Sequence, residues 1–399
     1  MLRVLTLSTL FPDATRPNFG VFVERQTRAL AAIPDTAVTV VAPIGLPPPP
    51  FDRLNRYDAL REVPTREVWK GLTVYRPRFV ALPLTGGRWH APALSFVVAN
   101  LLPWIQKMHA PQVIDASFFF PDGVAAMMSQ RRHRLPVSIK ARGADIHHWG
   151  RARATARQVV RAGRAADGLL AVSAAMRDDM IALGMPAERI RVHHTGVDQD
   201  RFAPGDRAAL KAALGVAGPL IVSTGALIPR KGHEVVVRAL ASLPGATLMI
   251  AGEGPERARL EALAAGTGVA DRVRLLGSVP HAELPRLLAA ADVMALASAS
   301  EGLANAWVEA LSSGTPIVIT DAGGAREVVT SPVAGRIVAP EPAAFAHAIK
   351  ALLDDPSAPD QVRATVRDFT WEANALVLRD HLADLVRRFG KGVPRHAAA

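Results

Sequence analysis

The 399-residue sequence contains no cysteine. That excludes disulfides, a thiolate nucleophile, an iron–sulfur cluster and any cysteine zinc site, and leaves a reducing compartment as the simplest home. Long apolar runs are missing too. The longest, Ala91 to Ile105, is broken by Ser95, Asn100 and Pro103 and falls short of the ~20 residues that span a bilayer, so no transmembrane helix is expected. The apolar start, Met1 to Phe11, carries one Arg and meets Pro12, which reads as a buried first strand rather than an export signal. No internal repeat stands out beyond a recurring strand–helix pattern. With 49% apolar and 21% charged residues, neither wholesale disorder nor an integral membrane bundle fits. At roughly 150 residues per domain, the length calls for two to three domains, each with its own core.

What is present is unevenly spread. Residues 1–200 hold 26 Lys and Arg against 16 Asp and Glu, whereas residues 201–399 hold 21 against 20, so nearly all of the +11 lies in the first half. A basic half joined to a neutral half implies domains with different partners, the basic one facing lipid headgroups, nucleic acid or a phosphorylated substrate.

Short apolar runs alternate with amphipathic helical patterns, the signature of βαβ units and parallel sheets. One series holds Arg3–Ser8, Ala37–Ala42, Leu72–Arg76, Gln112–Ala116, Val137–Ala141, Gly168–Val172 and Ile190–His194, with helices at Val21–Ala32 and Gly150–Gly163. A second holds Leu220–Thr224, Thr247–Ala251, Val273–Leu276, Val293–Ala297, Ile317–Thr320 and Arg336–Val338, with helices at His233–Leu243 and Ala304–Ser313. Between them, Gly196 to Gly218 is rich in Gly, Asp and Pro and reads as a hinge. The expectation is α/β: two doubly wound, Rossmann-like domains, 1–200 and 201–370, facing across a cleft. A C-terminal helix, 371–390, is expected to return to the first domain, and 391–399 to form a frayed tail. Pro47–Pro50 reads as a stiff turn.

Ligands of open α/β sheets sit beyond the carboxyl ends of the strands, so the loops after the apolar runs matter most. After Leu220–Thr224 comes Gly225-Ala226-Leu227-Ile228-Pro229-Arg230-Lys231-Gly232. Glycine lets the backbone approach a diphosphate, a helix N-terminus adds a positive field, and Arg230 and Lys231 offer charge-assisted hydrogen bonds. Taken alone, an Arg-Lys pair is more often a solvated turn. After Val293–Ala297 comes Ser298-Ala299-Ser300-Glu301-Gly302-Leu303-Ala304-Asn305, with Glu309 about one turn inside the next helix. One carboxylate there suits a sugar and the other a vicinal diol, while backbone N–H groups from Gly302 through Leu303 to Asn305 suit a phosphate. Two glutamates eight apart are weak evidence by themselves.

Their context is stronger. Gly314-Thr315-Pro316 and Gly323-Gly324-Ala325-Arg326-Glu327 follow in order, and Ala251-Gly252-Glu253-Gly254-Pro255 and Leu276-Gly277-Ser278-Val279-Pro280 precede. The second half thereby resembles the retaining GT-B glycosyltransferases of family 4. Phe11-Pro12, the stretch Phe19-Gly20-Val21-Phe22-Val23-Glu24-Arg25-Gln26, Arg142-Gly143-Ala144-Asp145-Ile146, Ala171-Val172-Ser173 and Thr195-Gly196-Val197-Asp198 carry the resemblance through the first half. The opening loop is similar to that of a polysaccharide-building branch, the teichuronic acid glycosyltransferases.

The resemblance implies roles. Lys231 with Arg230 would hold the donor diphosphate, Glu309 the ribose and Glu301 the transferred sugar. Gly225, Gly302, Leu303 and Asn305 would line the phosphate site, and Val279 the base pocket. Gly20 would approach the phosphate from the other domain, and Arg142 the donor sugar. The chain departs from the family at Ala226, where many members have Arg and for which Arg230 is the candidate substitute, at Arg142, where many have His, and at Ala304, where Pro is commoner. Asp198-Gln199-Asp200 has the spacing of a metal site of the other large glycosyltransferase fold but sits in the hinge. The doublets His147-His148 and His193-His194 lack a third ligand at metal spacing.

The implied function is sugar transfer from a nucleotide-diphosphate donor to a hydroxyl of a glycan, lipid-linked and destined for the cell surface, with retention and with neither metal nor other cofactor. A nucleotide-sugar epimerase of similar shape and a non-catalytic subunit that keeps the fold are the rival readings. No nucleic-acid partner is expected. The expected location is cytoplasmic, peripheral on the inner face of the membrane, because Arg76, Arg78, Arg88 and Trp89 mix cations with rings beside a segment too short to span. For Leu94 to Ile105, a core-facing helix is an equally good reading.

Overall fold

The computed structural model describes residues 1–390, and the expected tail, 391–399, lies outside them. The chain forms two compact units, Met1–His194 together with the stretch from Trp371 onward, and Thr195–Thr370. Each is an α/β layer structure with a parallel sheet.

Among the described residues the first unit carries ten strands: β1 (Leu2–Leu7), β2 (Thr36–Val41), β3 (Ile44–Leu46), β4 (Arg66–Trp69), β5 (Leu72–Tyr75), β6 (Arg78–Val80), β7 (Val113–Ala116), β8 (Val137–Ala141), β9 (Gly168–Ala171) and β10 (Ile190–Val192). Eight of them line up as β10-β9-β8-β7-β1-β2-β5-β4, and β3 pairs with β6 apart from the main sheet. Every pairing is parallel except β4 with β5. The second unit holds β11 (Leu220–Thr224), β12 (Thr247–Ala251), β13 (Val273–Gly277), β14 (Val293–Leu296), β15 (Ile317–Ile319) and β16 (Gly335–Ile337), ordered β13-β12-β11-β14-β15-β16. Helices on both faces bury the central strands completely, which is why β14 reads as an unbroken apolar run and β11 opens with Leu220-Ile221-Val222 instead of alternating. The three short strands β3, β4 and β6 were not anticipated, being brief and partly exposed.

Seven helices shape the ligand-facing loops and the surfaces around them: α1 (Val21–Ala32), α2 (His90–His109), α3 (Val124–His133), α4 (Ala156–Ala165), α5 (His233–Ala239), α6 (Asn305–Ser312) and α7 (Trp371–Gly390). On α7, Leu378, Leu382 and Leu385 recur at helical spacing and pack with Val4, Leu30, Val113 and Leu170 of the first unit. Each such leucine contributes roughly 1.5–3 kcal/mol on burial, enough to seat a helix that follows the second sheet in sequence onto the first. In the second unit Ile221, Leu248, Ile250, Val293 and Val318 of the sheet meet Val236, Val237, Phe345 and Ile349 of the helices.

The segment expected as a hinge is structured within the second unit. The Val197 N–H donates to the Phe369 carbonyl at 2.9 Å, and the Asp206 carboxylate caps a short helix, Arg207–Ala213. Gly, Asp and Pro there make turns and a cap.

Candidate functional site

In the second sheet the strand order reverses between β11 and β14, so the loops leaving these two strands flank the topological switch point, where open α/β sheets bind ligands. Those loops carry Lys231 and Glu301. The turn Pro229–Lys231 leads into α5 through Gly232, whose φ is +64° and whose missing Cβ would sit 2.1 Å from the Ala297 carbonyl oxygen. Only glycine lets the two loops lie this close. The Ala299 N–H donates to the Arg230 carbonyl at 2.8 Å, and the Arg230 guanidinium donates to the Ser300 carbonyl.

With the loops fixed, Lys231 Nζ stands 2.5 Å from Glu301 Oε1 and Arg230 Nη1 lies 3.8 Å from Glu301 Oε2. The Lys231 and Glu301 side chains are 15% and 10% exposed, so this pair is partly shielded from water. The turn after β15 buttresses it. The Gly324 N–H donates to the Gly302 carbonyl at 2.8 Å, and at Gly323, with φ +54°, a Cβ would come within 2.3 Å of the Glu301 carbonyl. This gives the Gly-Gly sequence its physical reason.

Glu309 is buried on α6, and its Oε1 lies 2.9 Å from Nε2 of His281 in the loop after β13. The His281 ring stands edge-on to Phe202 at 5.4 Å, and Arg201 donates to the His281 carbonyl. Val279, half-buried, belongs to the same loop. Leu303 is buried, Asn305 opens α6, and no side chain caps that helix. Gly225, with φ +145°, lies against the Lys231 stem. At the ends of β11 and β14 the hydroxyls of Thr224 and Ser298 are buried with no hydrogen-bond partner, two polar groups that the protein itself leaves unsatisfied. Close by, burial pushes the His233 imidazole down to about 4. Cations on one loop, a carboxylate on the next, a second carboxylate on α6 and uncommitted hydroxyls at the strand ends suit a polyol diphosphate.

Two family profiles match the chain: one described as "Glycosyl transferases group 1" over residues 207–369, the other as "Glycosyltransferase Family 4" over residues 20–201. The chain belongs to the family 4 type of group 1 glycosyltransferases. It is 35% identical over 217 residues to a D-inositol 3-phosphate glycosyltransferase of Catenulispora acidiphila, a match covering 50% of this chain and only 52% of that protein. It is 27% identical over 267 residues to a putative teichuronic acid biosynthesis glycosyltransferase, TuaC, of Bacillus subtilis, covering 65% of this chain and 67% of that one. Among solved structures, a sucrose-phosphate synthase of Thermosynechococcus elongatus overlays with a TM-score of 0.78 at 19% identity, over 98% of this chain and 100% of that one. HepE of Anabaena, solved with UDP-glucose, overlays at 0.66 with 22% identity, over 98% and 99%. At such identities the structures establish the fold, the two-domain GT-B architecture.

The other residues singled out in this family member lie in its first unit. Gly20 caps α1 with φ +70°, and a Cβ there would come within 2.4 Å of the Leu10 carbonyl. Arg142 donates from Nε to the Ser117 carbonyl at 2.6 Å and from Nη2 to Gln26 Oε1 at 3.1 Å, and burial lowers its guanidinium to about 10. The sequence reading missed what surrounds it. Lys140 Nζ is fully buried, 2.9 Å from both Gln26 Oε1 and His193 Nδ1, and His193 Nε2 reaches the Asn374 carbonyl at 2.9 Å. Burial drives both Lys140 and His193 well below their ordinary values. The signal was a lysine inside the buried run Val137–Ala141. Asp115, at the end of β7, is raised by burial and has one carboxylate oxygen without a partner.

Of the expected membrane cations, Arg76 is internal and Arg78 is half-buried. Arg76 is 1% exposed, paired with Glu67 and donating to the Pro12 carbonyl at 2.7 Å. Arg78 donates to the Arg76 carbonyl at 2.8 Å and to that of Val63. Both tie the strand segment 76–80 to its neighbours, and an Arg with carbonyl and carboxylate partners is stable inside. Arg88 and Trp89 are exposed, the guanidinium 5.8 Å from the ring centroid. Helix α2 is amphipathic: Leu94, Val98, Leu102 and Ile105 face the core while Phe96, Trp104 and Met108 are exposed. Among the described residues no helix is long and apolar enough to cross a membrane, and no group of three or more His, Asp or Glu is placed to hold a metal ion. The Asp198 carboxylate of the Asp-x-Asp spacing accepts from the Arg201 N–H at 3.2 Å.

Proposed function

We propose that this chain transfers a sugar from a nucleoside-diphosphate donor to a hydroxyl of a glycan, lipid-linked and used in cell-surface polysaccharide synthesis, with retention and without a metal. The observation that carries the reading is the pairing of Lys231 and Arg230 with Glu301 at the switch point, with Glu309 held by His281 in the same unit.

The donor diphosphate competes with Glu301 for Lys231. As Nζ turns to the phosphate, the Glu301 carboxylate is released to accept hydrogen bonds from hydroxyls of the transferred sugar. Glu309 accepts from the ribose diol. In the transfer step the bond from the anomeric carbon to the diphosphate oxygen breaks and a bond to the acceptor oxygen forms. The electron pair stays on the diphosphate, where Lys231 and Arg230 stabilise it, and the acceptor proton passes to that leaving oxygen. Fixed cations supply the charge stabilisation that a divalent ion supplies elsewhere, so the activity is expected to survive excess EDTA.

A thermal-shift screen of UDP, GDP, ADP and dTDP identifies the base, since a ligand at about 100 times its dissociation constant stabilises by about 2.7 kcal/mol. Nucleotide release from the matching donor sugar is then followed with and without acceptor. Acceptor-dependent release with a product that keeps the donor's anomeric configuration supports the reading. Release indifferent to acceptor with an epimerised sugar points to an epimerase, no turnover with any donor to a non-catalytic subunit, and loss on chelation restored by Mg²⁺ overturns metal independence.

A further inference from the structure

Seven large apolar side chains between residues 80 and 128 stand exposed: Val80, Leu84, Trp89, Phe96, Trp104, Met108 and Met128. Of these, Leu84 is completely exposed, Phe96 is 70% and Trp89 50% exposed. They are not a loose fringe. The loop bearing Leu84 is closed by Thr85 Oγ1 donating to the Leu82 carbonyl at 2.9 Å, and its Gly87 lies against the Trp149 ring. Gln158 of α4 donates to the Arg88 carbonyl at 3.0 Å, which anchors the loop to the start of that helix. Helix α3 packs against both α2 and α4, and the Gln158–Arg88 hydrogen bond brings the loop carrying Leu84 and Trp89 beside α4.

That surface is strongly cationic, with Arg151 paired to Asp179 at 3.7 Å. No Asp or Glu occurs between Asp145 and Asp167, while Arg151, Arg153, Arg157, Arg161 and Arg164 do. All five are exposed, and the side chains of Arg153, Arg157 and Arg161 have no hydrogen-bond or ion-pair partner among the described residues. On α4, Arg157 and Arg161 are one turn apart and Val159 and Ala162 face inward, so the charges stay on the water side.

We infer that the outer face of α2, α3 and α4, led by Leu84, Trp89 and Phe96 and flanked by Arg88, Arg153, Arg157 and Arg161, docks on an anionic phospholipid surface. Apolar tips between unpaired arginines suit the interface of a bilayer, where rings and aliphatic ends enter the acyl boundary and guanidinium groups meet headgroup phosphates. The charge decides between occupants. A second copy of the chain presenting the same face is repelled, and a soluble polyanion leaves Leu84 and Phe96 with nothing to bury them. The inference locates the lipid side of the acceptor proposed above, but its test needs neither donor nor turnover.

Full-length protein is sedimented with phosphatidylcholine vesicles and with vesicles in which phosphatidylglycerol makes up about a third of the lipid, an anionic surface strong enough to attract exposed cations, at low and high salt. Binding to the anionic vesicles at low salt, with a blue shift of Trp emission, is the expected result. Changing Arg153, Arg157 and Arg161 together to Glu is expected to weaken it by at least about a hundredfold, at roughly one surface charge's worth of attraction per residue. Leu84→Ser with Phe96→Ser is expected to weaken it severalfold without changing the salt dependence. All are surface positions, and an unchanged melting temperature confirms folding. Failure of the wild type to sediment overturns the inference, as does indifference to either variant; heparin binding as tight as vesicle binding with no effect of the serine pair shows a polyanion site instead. Vesicle binding by a chain that turns over no donor leaves this inference standing and removes the proposed activity.

Discussion

Lys231→Ala offers the most direct probe of the site, because the lysine stands 2.5 Å from Glu301 with little water around either group. Its removal takes away one charge-assisted hydrogen bond and leaves Glu301 facing only Arg230, at 3.8 Å and itself 43% exposed. A solvated guanidinium at that distance replaces only part of the lost pairing, so a stability loss of about 1–3 kcal/mol is expected, a melting shift of several degrees for a chain of this size. The catalytic loss is larger. One preorganised donor aimed at a departing anion is typically worth about 10²–10³ in rate, about 2.7–4 kcal/mol, and kcat/KM is expected to fall by that factor. Nucleotide release from the donor sugar reads the catalytic effect and thermal denaturation the structural one. A cycle with Glu301→Gln separates them: the two changes are expected to be strongly non-additive in stability, because the residues are direct partners. A tenfold or smaller loss in kcat/KM with the fold intact would refute the reasoning and move the charge to Arg230.

Glu309→Ala is expected mainly to weaken nucleotide binding and Glu301→Ala mainly to slow turnover; equal effects of both on nucleotide affinity, read by titration calorimetry, sink that division. His281→Ala should follow Glu309→Ala with a smaller loss, and His281→Gln, which can still donate to the carboxylate, should recover most of it. Arg76→Ala removes a buried guanidinium with two partners and is expected to cost about 3–5 kcal/mol by urea denaturation; a loss below about 1 kcal/mol contradicts the internal role. His381, held neutral by burial and pushed down to about 4, gives its full stabilisation above the unfolded value near 6.5 and loses it as pH falls towards 4, on the order of 3 kcal/mol. Asp122, pushed up to about 7 by burial, works in the opposite direction, so the measurement is the pH dependence of the difference between wild type and His381→Gln. A difference constant from about pH 7 to pH 4, the window between the two values, excludes the effect.

The layers, the switch-point loops and the family are legible in the order of amino acids alone. Parallel strands buried on both faces are mostly apolar, and glycines are forced where a Cβ would strike backbone, so β11, β14, Gly232 and Gly323 leave marks that need no coordinates. Packing in three dimensions settles the rest. The seating of α7 on the first unit rests on which apolar stripe Leu378, Leu382 and Leu385 meet, and periodicity shows a stripe without naming its partner. The pairing of Glu309 with His281 joins residues 28 apart by bringing the loop after β13 against α6, and no local pattern encodes that. Finally, an arginine reads the same in sequence whether it is solvated or paired inside: Arg76 carries the charge of a surface residue, and only the positions of Glu67 and the Pro12 carbonyl reveal that it is internal, while the unpaired arginines of α4 are the ones left to face outward.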